Sequence, residues 1–177
     1  MASRRTLLRT VVAGAAATLT LTALVACSSN DAAQATDAEA ITVSDQWVKA
    51  ADTGMTAAFG VLHNSSDREI RVTSAHTDDA RSTEMHEVVD NGTGGTVMRQ
   101  KDGGFVVPAK GSMTMVPGGE HLMLMGIPKP ITTGQKVAFT LRFADGSTAE
   151  FDALARDFDG NQENYNPGEP EHSGSHQ

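Results

Sequence analysis

The sequence predicts an all-β domain, a sandwich or barrel of short strands. Between residues 41 and 156, short runs of β-branched and apolar residues alternate with turn-forming segments, and no run shows a sustained helical period. Short strands at this spacing are typical of β-sandwiches and β-barrels. The ten predicted strands are, in chain order, Ile41–Lys49, Met55–Leu62, Ile70–Ala75, Ser82–Val89, Thr96–Gln100, Phe105–Val107, Ser112–Val116, His121–Gly126, Val137–Phe143 and Thr148–Ala155.

The segments between these runs carry the residues that turns require. Asn, Asp and Gly tolerate the backbone conformations of hairpin loops, and Pro presets one of them. The clearest turn segments, in chain order, are Asn64-Ser65-Ser66-Asp67 after the second strand, Asn91-Gly92 after the fourth, Asp102-Gly103-Gly104 after the fifth, Pro117-Gly118-Gly119 after the seventh and Asp145-Gly146 after the ninth. The prediction of these strands therefore rests on the turn residues that end them as well as on their own composition.

The charge of the chain argues against nucleic acid as a partner. The 177 residues contain 14 Lys and Arg against 22 Asp and Glu, and Arg4, Arg5 and Arg9 all precede the first acidic residue. Without that N-terminal segment, 11 basic residues face 22 acidic ones. A phosphate backbone needs clustered Lys and Arg, which the remaining chain lacks.

Residues 1–26 have the order of a bacterial signal peptide. Arg4 and Arg5 precede an apolar-to-small stretch that runs from Leu7 to Ala26. Its end, Leu24-Val25-Ala26-Cys27, resembles the bacterial lipobox, which implies cleavage before Cys27 and lipidation of its thiol. An uncleaved transmembrane anchor is the alternative, and both interpretations place the domain outside the cytoplasm. The two arginines fit general as well as twin-arginine export, so the export route stays open.

The mature chain is predicted to have three parts. Residues 27–40 are the lipidated cysteine and a small, polar, flexible tether, and residues 41–156 are the folded domain. Residues 157–177 are predicted to be a disordered tail, because their Asn, Pro, Gly and Glu cannot form a core. His172 and His176 in this tail are candidate ligands for Cu(II).

Methionine and histidine are concentrated in one part of the domain. Of eight methionines, six fall within the 41 residues that start at Met85, and His86 and His121 lie in the same window. In the run from His121 to Met125 the apolar period is two, so a strand places His121, Met123 and Met125 on one face. An imidazole and a thioether on one face can converge on one ion. Met55, Met113 and Met115 are interpreted instead as core-filling residues.

These donors favour copper(I). Thioethers are soft and neutral, so a mixed set of Met sulfur and His nitrogen suits Cu(I) and is poor for Zn²⁺, Mg²⁺ or Ca²⁺. A blue-copper electron-transfer centre needs a cysteine ligand, and the only cysteine is Cys27. The sequence therefore predicts copper that is carried and not used for redox chemistry.

The domain resembles the periplasmic copper chaperone family PCu(A)C. The resemblance spans about Trp47 to Leu154 and rests on the segments Glu84-Met85-His86-Glu87, Met98-Arg99, Val107-Pro108-Ala109, Pro117-Gly118-Gly119-Glu120-His121-Leu122-Met123-Leu124, Gly134-Gln135-Lys136-Val137 and Leu141-Arg142-Phe143. It implies a cupredoxin-like Greek-key fold that binds one Cu(I) through His86, Met98, His121 and Met123. Eleven residues separate the first two ligands, as in the family pattern. The next gap is 22 residues, one more than usual, and Glu87 stands where some members have a second methionine.

The resemblance also implies a role. The leading hypothesis is a membrane-tethered, extracytoplasmic, monomeric Cu(I) chaperone that is not an enzyme and supplies an acceptor such as the CuA site of cytochrome c oxidase. Met85 and Met125 are candidate auxiliary ligands. The alternatives are a structural or adhesive lipoprotein sandwich whose methionines only pack, and an enzyme subunit.

Overall fold

The computed structural model describes residues 35–160, which form one short helix and ten strands. All ten predicted runs are strands, with ends that differ from the prediction by at most two residues, and the all-β class is confirmed. The elements are α1 (Asp37–Ala40), β1 (Ile41–Lys49), β2 (Met55–Asn64), β3 (Ile70–His76), β4 (Ser82–Asp90), β5 (Thr96–Gln100), β6 (Phe105–Val107), β7 (Ser112–Met115), β8 (His121–Met125), β9 (Lys136–Phe143) and β10 (Thr148–Arg156).

The strands form one continuous sheet that curls into an open barrel. The hydrogen-bonded order is β5-β4-β8-β2-β1-β10-β9-β3-β6, and β7 pairs with β2 beyond the end of β8. The first and last strands, β1 and β10, lie side by side and parallel, whereas the other pairs are antiparallel. The sheet folds over so that β3 contacts β4 and β6 contacts β7. Since β5 and β6 end the order of the described strands, the barrel is not closed by backbone hydrogen bonds.

The core fills the inside of this barrel, and strand alternation selects its residues. In β9 every second residue is buried, so that Val137, Phe139, Leu141 and Phe143 point inward. Such alternation is the pattern of a strand with one face on the core and one toward solvent. Met113 and Met115 also lie in this main core, as predicted.

The folded domain starts earlier than predicted. Residues 36–40, assigned from the sequence to the flexible tether, form α1 and its cap, in which Thr36 and Glu39 make a capping box. The backbone N–H of Asp37 donates to Asp145 at 2.8 Å, and Arg68 donates to the Asp37 carboxylate at 2.7 Å. These contacts join the helix to the β9–β10 turn and to the segment between β2 and β3. They could not be read from the sequence because they are made by residues more than thirty positions away.

The other end of the domain also extends further than predicted. The aromatic ring of Phe158 lies edge-on to Trp47 at 5.2 Å, and Lys49 donates to the carbonyl of Gly160 at 2.7 Å. Phe158 and Gly160, assigned to the tail, therefore contact β1. The predicted signal peptide, Cys27, His172 and His176 lie outside the described residues. Across residues 35–160, no helix combines the length and apolar character that crossing a membrane requires.

Candidate metal centre

A second, smaller cluster of buried side chains lies on the face of the sheet that is turned away from the main core. Its members are Ala57, Phe59, Met98 and Met123, with Trp47, Val88 and Met125 packed around them. The two faces separate by strand alternation. In β8, Leu122 and Leu124 enter the main core, while Met123 joins this second cluster.

Strand register brings the two histidines of the prediction together on this face. His86 in β4 is directly opposite His121 in β8, and their ring centroids are 5.6 Å apart. Both residues are completely buried, with 0% of their surface exposed. In the same register, Glu84 lies opposite Met123, and Met98 in β5 lies opposite Val88 in β4. The antiparallel pairing β5-β4-β8 therefore places all four predicted ligands on one face of three adjacent strands.

His121 is held with one nitrogen toward a carbonyl and the other toward a sulfur. Its Nδ1 lies 2.9 Å from the carbonyl oxygen of Gly119, and its Nε2 lies 3.3 Å from the Sδ of Met98. Because a carbonyl oxygen only accepts, the neutral ring carries its proton on Nδ1, and the Nε2 lone pair faces the thioether. Two neutral donor atoms thus point at each other.

The spacing of these two atoms fits ligands of one ion. Metal bonds of about 2.0 Å to nitrogen and 2.3 Å to sulfur at a tetrahedral angle place the two donors about 3.5 Å apart. The separation in the protein is 3.3 Å. Little rearrangement is needed for His121 and Met98 to share an ion.

The excursion between β7 and β8 positions the carbonyl that orients His121. Both strands pair with β2 in the same direction, and residues 116–120 form a loop between them. Two hydrogen bonds close this loop, from the Val116 N–H to the Glu120 carbonyl and from the Gly119 N–H to the Val116 carbonyl. Gly118 has a φ of 75°, a conformation that glycine adopts readily. The Pro-Gly-Gly turn predicted from the sequence is thus the element that delivers the Gly119 carbonyl to the ring.

Burial keeps His121 neutral. Loss of hydration lowers the pKa of His121 to about 4, the hydrogen bond to Gly119 acts in the opposite direction, and the neighbouring His86 lowers it further. At neutral pH a metal ion therefore does not compete with a proton at this ring.

His86 is oriented by a carboxylate. Its Nε2 donates to Oε2 of Glu84 at 2.8 Å, and in the neutral ring this leaves the lone pair on Nδ1. Metal-binding histidines commonly donate their other N–H to a carboxylate or a carbonyl, which fixes the orientation of the ring. Sequence reasoning missed Glu84 in this role. The available signal was its position two residues before His86, which puts both side chains on one face of a strand.

Aromatic side chains form the wall next to His121. The ring of Phe59 lies 6.0 Å from the imidazole, and Trp47 lies 4.5 Å from Phe59. The guanidinium of Arg156 covers the Trp47 ring at 4.1 Å. Trp47 is the only tryptophan of the chain, so its fluorescence reports on this neighbourhood.

An ion-pair cluster ties the strands at one end of the site. Lys101 lies 2.7 Å from Glu87 and 3.0 Å from Glu120, and Arg99 also pairs with Glu87. The hydrogen bond from Lys101 lowers the pKa of Glu87, and the same bond raises the pKa of Lys101. Because Glu87 follows His86 and Glu120 precedes His121, Lys101 links the chain segments that carry the two histidines.

Some residues proposed from the sequence lie elsewhere. Met85 points into the main core and is not brought to the other donors, because it alternates with His86 along β4. Met125 lies on the site face and packs on the second cluster. Met55 is not core-filling as expected, since 45% of its surface is exposed. Glu87 faces Arg99 and Lys101, and it does not take the place of a second methionine ligand.

The described residues contain no other metal-binding chemistry of the common kind. Within residues 35–160, no group of three or more His, Cys, Asp and Glu side chains is arranged to hold a metal ion. The mixed imidazole and thioether set is therefore the candidate centre of this part of the chain.

Comparisons with known proteins agree with this fold. The family described as "Putative lipoprotein LpqE-like" matches residues 41–154. A protein of Leifsonia xyli subsp. xyli named "Putative lipoprotein Lxx21020" is 43% identical over 128 residues, which are 72% of this chain and 76% of that protein.

Two of the similar solved structures are copper-loaded forms. The copper-bound PCuAC domain from PmoF2 is 23% identical over 67% of this chain and 93% of that chain, with a TM-score of 0.56. The Cu(I) form of DR1885 from Deinococcus radiodurans, solved in solution, is 31% identical over 74% of this chain and 89% of that chain, with a TM-score of 0.52. The resemblance stated from the sequence and the cupredoxin-like fold are confirmed. The chain therefore belongs to the LpqE-like lipoprotein family, whose domain here has the PCuAC fold.

Proposed function

We propose that this protein is an extracytoplasmic copper(I) chaperone that carries one Cu(I) on His86, Met98, His121 and Met123. The observation that carries the proposal is the 3.3 Å approach of the His121 Nε2 lone pair to the Met98 sulfur in a buried site. The copper in the PmoF2 domain and the Cu(I) in DR1885 support the choice of metal.

The donor set selects for a soft monovalent cargo. Thioethers carry no charge and an imidazole binds a metal ion in its neutral form, so this donor set compensates poorly for burying a divalent ion, whereas Cu(I) suits soft sulfur ligands. The Glu84 carboxylate is engaged with His86 at 2.8 Å and serves to orient that ring. Without a cysteine thiolate in the domain, the ion is bound and passed on, with no electron transferred.

The competing proposal is a structural or adhesive lipoprotein. Its specific support is that Met98 and Met123 pack with Ala57 and Phe59 as an apolar cluster, which is also what methionines without a ligand role would do. The two proposals differ in what a leucine substitution does, because leucine preserves packing and removes the sulfur.

The decisive experiment is a Cu(I) titration under reducing conditions in competition with a chromophoric Cu(I) chelator. Met98→Leu and Met123→Leu should fold normally and lose more affinity than the 10–100-fold that follows loss of a supporting, non-ligand residue. Met115→Leu is the matched control, because Met115 is equally buried in the main core. It should cost less than about 1.5 kcal/mol of stability and leave Cu(I) affinity unchanged. Wild-type affinity in both ligand variants would favour the structural lipoprotein.

The proposed location is the outer side of the cell membrane, with Cys27 as the lipid attachment. One acyl chain binds a membrane reversibly and several chains hold it firmly, so the domain would stay near its acceptor. Cys27→Ala should abolish incorporation of labelled fatty acid and release the protein from the membrane fraction. Unchanged labelling of this variant would exclude lipidation at this residue.

The C-terminal histidines are proposed to bind additional Cu(II). A chain ended after Gly160 keeps the contacts of Phe158 and Gly160 with β1, and it removes His172 and His176. It should lose Cu(II) affinity and retain Cu(I) affinity. Equal loss of both would mean that the tail is part of the main site.

The proposed acceptor of Cu(I) is a copper site such as CuA of cytochrome c oxidase. Transfer to the acceptor is tested by its copper content after incubation with the loaded domain.

A further inference from the structure

A line of methionines continues from the buried donors to the protein surface. Met55 in β2 is directly opposite Met125 in β8, and Ala57 is opposite Met123 in the same register. Because alternate residues share a face, Met55 and Met125 lie on the same face as Met123. Directly opposed residues of an antiparallel pair have Cα atoms about 4.5–5.5 Å apart, and residues two apart in a strand are separated by about 6.7 Å.

Burial decreases along this line. Met98 and Met123 are 1% and 3% exposed, Met125 is partly buried against them, and Met55 is 45% exposed. His86 and His121 are inaccessible to solvent. An ion held by the buried set therefore has no direct contact with a partner protein, whereas one held by Met55 and Met125 does.

The chemistry of these two residues matches that of the cargo. Methionine is unbranched and flexible, so opposed thioethers can approach the roughly 4.6 Å that separates two sulfurs bound to one ion in line. Neither sulfur titrates or carries charge. Packing accounts for Met125, which contacts the second cluster, but it does not account for Met55, whose side chain is nearly half in solvent.

We propose that Met55 and Met125 form a surface exchange site through which Cu(I) reaches and leaves the buried centre. This inference rests on the proposed function. As Cu(I) leaves, bonds to Met125 and Met55 form while the bonds to His86, Met98, His121 and Met123 break, and entry reverses these steps. No proton or electron is transferred. The exchange site changes the rate of transfer, and the buried ligands determine the equilibrium affinity.

The test compares the double variant M55L/M125L with M113L/M115L, in which two main-core methionines change in the same way. Each loaded protein is mixed with a Cu(I) chelator in a stopped-flow instrument, and Cu(I) affinity is measured separately at equilibrium. M55L/M125L should keep wild-type affinity and transfer Cu(I) more slowly by about tenfold, which corresponds to an added barrier of about 1.4 kcal/mol. M113L/M115L should transfer at the wild-type rate.

A second readout locates the ion. In protein labelled with ¹³C at the methionine methyl groups, a second equivalent of Cu(I) should shift the Met55 and Met125 resonances and leave those of Met113 and Met115 in place. Normal Cu(I) affinity with an unchanged transfer rate, or unmoved Met55 and Met125 resonances, would overturn the exchange site and leave the proposed function intact. Failure of the wild-type protein to bind Cu(I) would overturn both.

Discussion

Acidification should destabilise the metal-free protein through His121. The folded state lowers the pKa of this histidine from 6.5 to about 4, mainly because the ring is buried. As the pH falls below 6.5, the unfolded chain gains a proton that the folded protein does not bind, so unfolding becomes more favourable. The contribution of His121 to folding stability is complete above about pH 6.5. It is lost progressively as the pH falls to the pKa that this ring has in the folded protein.

The size of this loss follows from the two pKa values. One unit of pKa difference corresponds to about 1.4 kcal/mol, and proton linkage between 6.5 and about 4 gives a loss of about 2 kcal/mol at pH 5. At pH 4 the loss would be about 3 kcal/mol, a large share of the stability of a small domain. Two carboxylates with lowered pKa values lose their contributions at still lower pH. The hydrogen bond from Lys101 lowers the pKa of Glu87, and the hydrogen bond from the Asp37 backbone lowers that of Asp145, so the contributions of these carboxylates fall below their ordinary values of 4.5 and 3.8.

The assay is urea unfolding of the metal-free domain at about pH 7.5 and pH 5, followed by the fluorescence of Trp47. His121→Gln removes the titrating ring and keeps an amide that can donate to the Gly119 carbonyl. Between the two pH values, the free energy of unfolding of this variant should fall by about 2 kcal/mol less than that of the wild type. His76→Gln, on the surface beside Asp78, is the matched histidine replacement and should keep the wild-type loss. An identical loss in wild type and His121→Gln would refute the reasoning, because the ring would then not be held neutral by burial.

Three further predictions concern the frame of the site, each checked by chemical unfolding. Gly104 has a φ of 77°, and a Cβ at this residue would overlap the carbonyl oxygen of Val72, so Gly104→Ala should cost at least about 3 kcal/mol of stability. Gly103 has a similar φ but no such contact, so Gly103→Ala should cost about 1 kcal/mol. Thr36→Ala removes the cap of α1 and should cost about 1 kcal/mol, with no effect on Cu(I) affinity. Lys101→Met keeps the apolar stem and breaks both ion pairs, so it should cost about 1 kcal/mol at low salt and less at high salt; equal costs at both salt concentrations would contradict an ionic origin.

The strands and the donor residues were predictable from the sequence because both depend on local patterns. Period-two alternation and turn residues located all ten strands, and the same alternation placed His121 and Met123 on one face. The soft donor types indicated the kind of metal without any coordinates. The identity of the four candidate ligands came from residue type, spacing and resemblance.

Strand pairing decided what the sequence left open. Only the register of β4 against β8 puts His86 opposite His121, and only the pairing of β4 with β5 brings Met98 over to the His121 nitrogen. Alternation along β4 separates Met85 from the donors, and only the packed structure shows that Met55 is 45% exposed. Hydrogen bonds between strands join residues distant in sequence, so no local pattern specifies them. The sequence by itself determined which atoms could bind the ion, and the tertiary structure alone decided which of them meet, how deeply they are buried, and that His121 stays neutral, because burial depends on every chain segment packed around the ring.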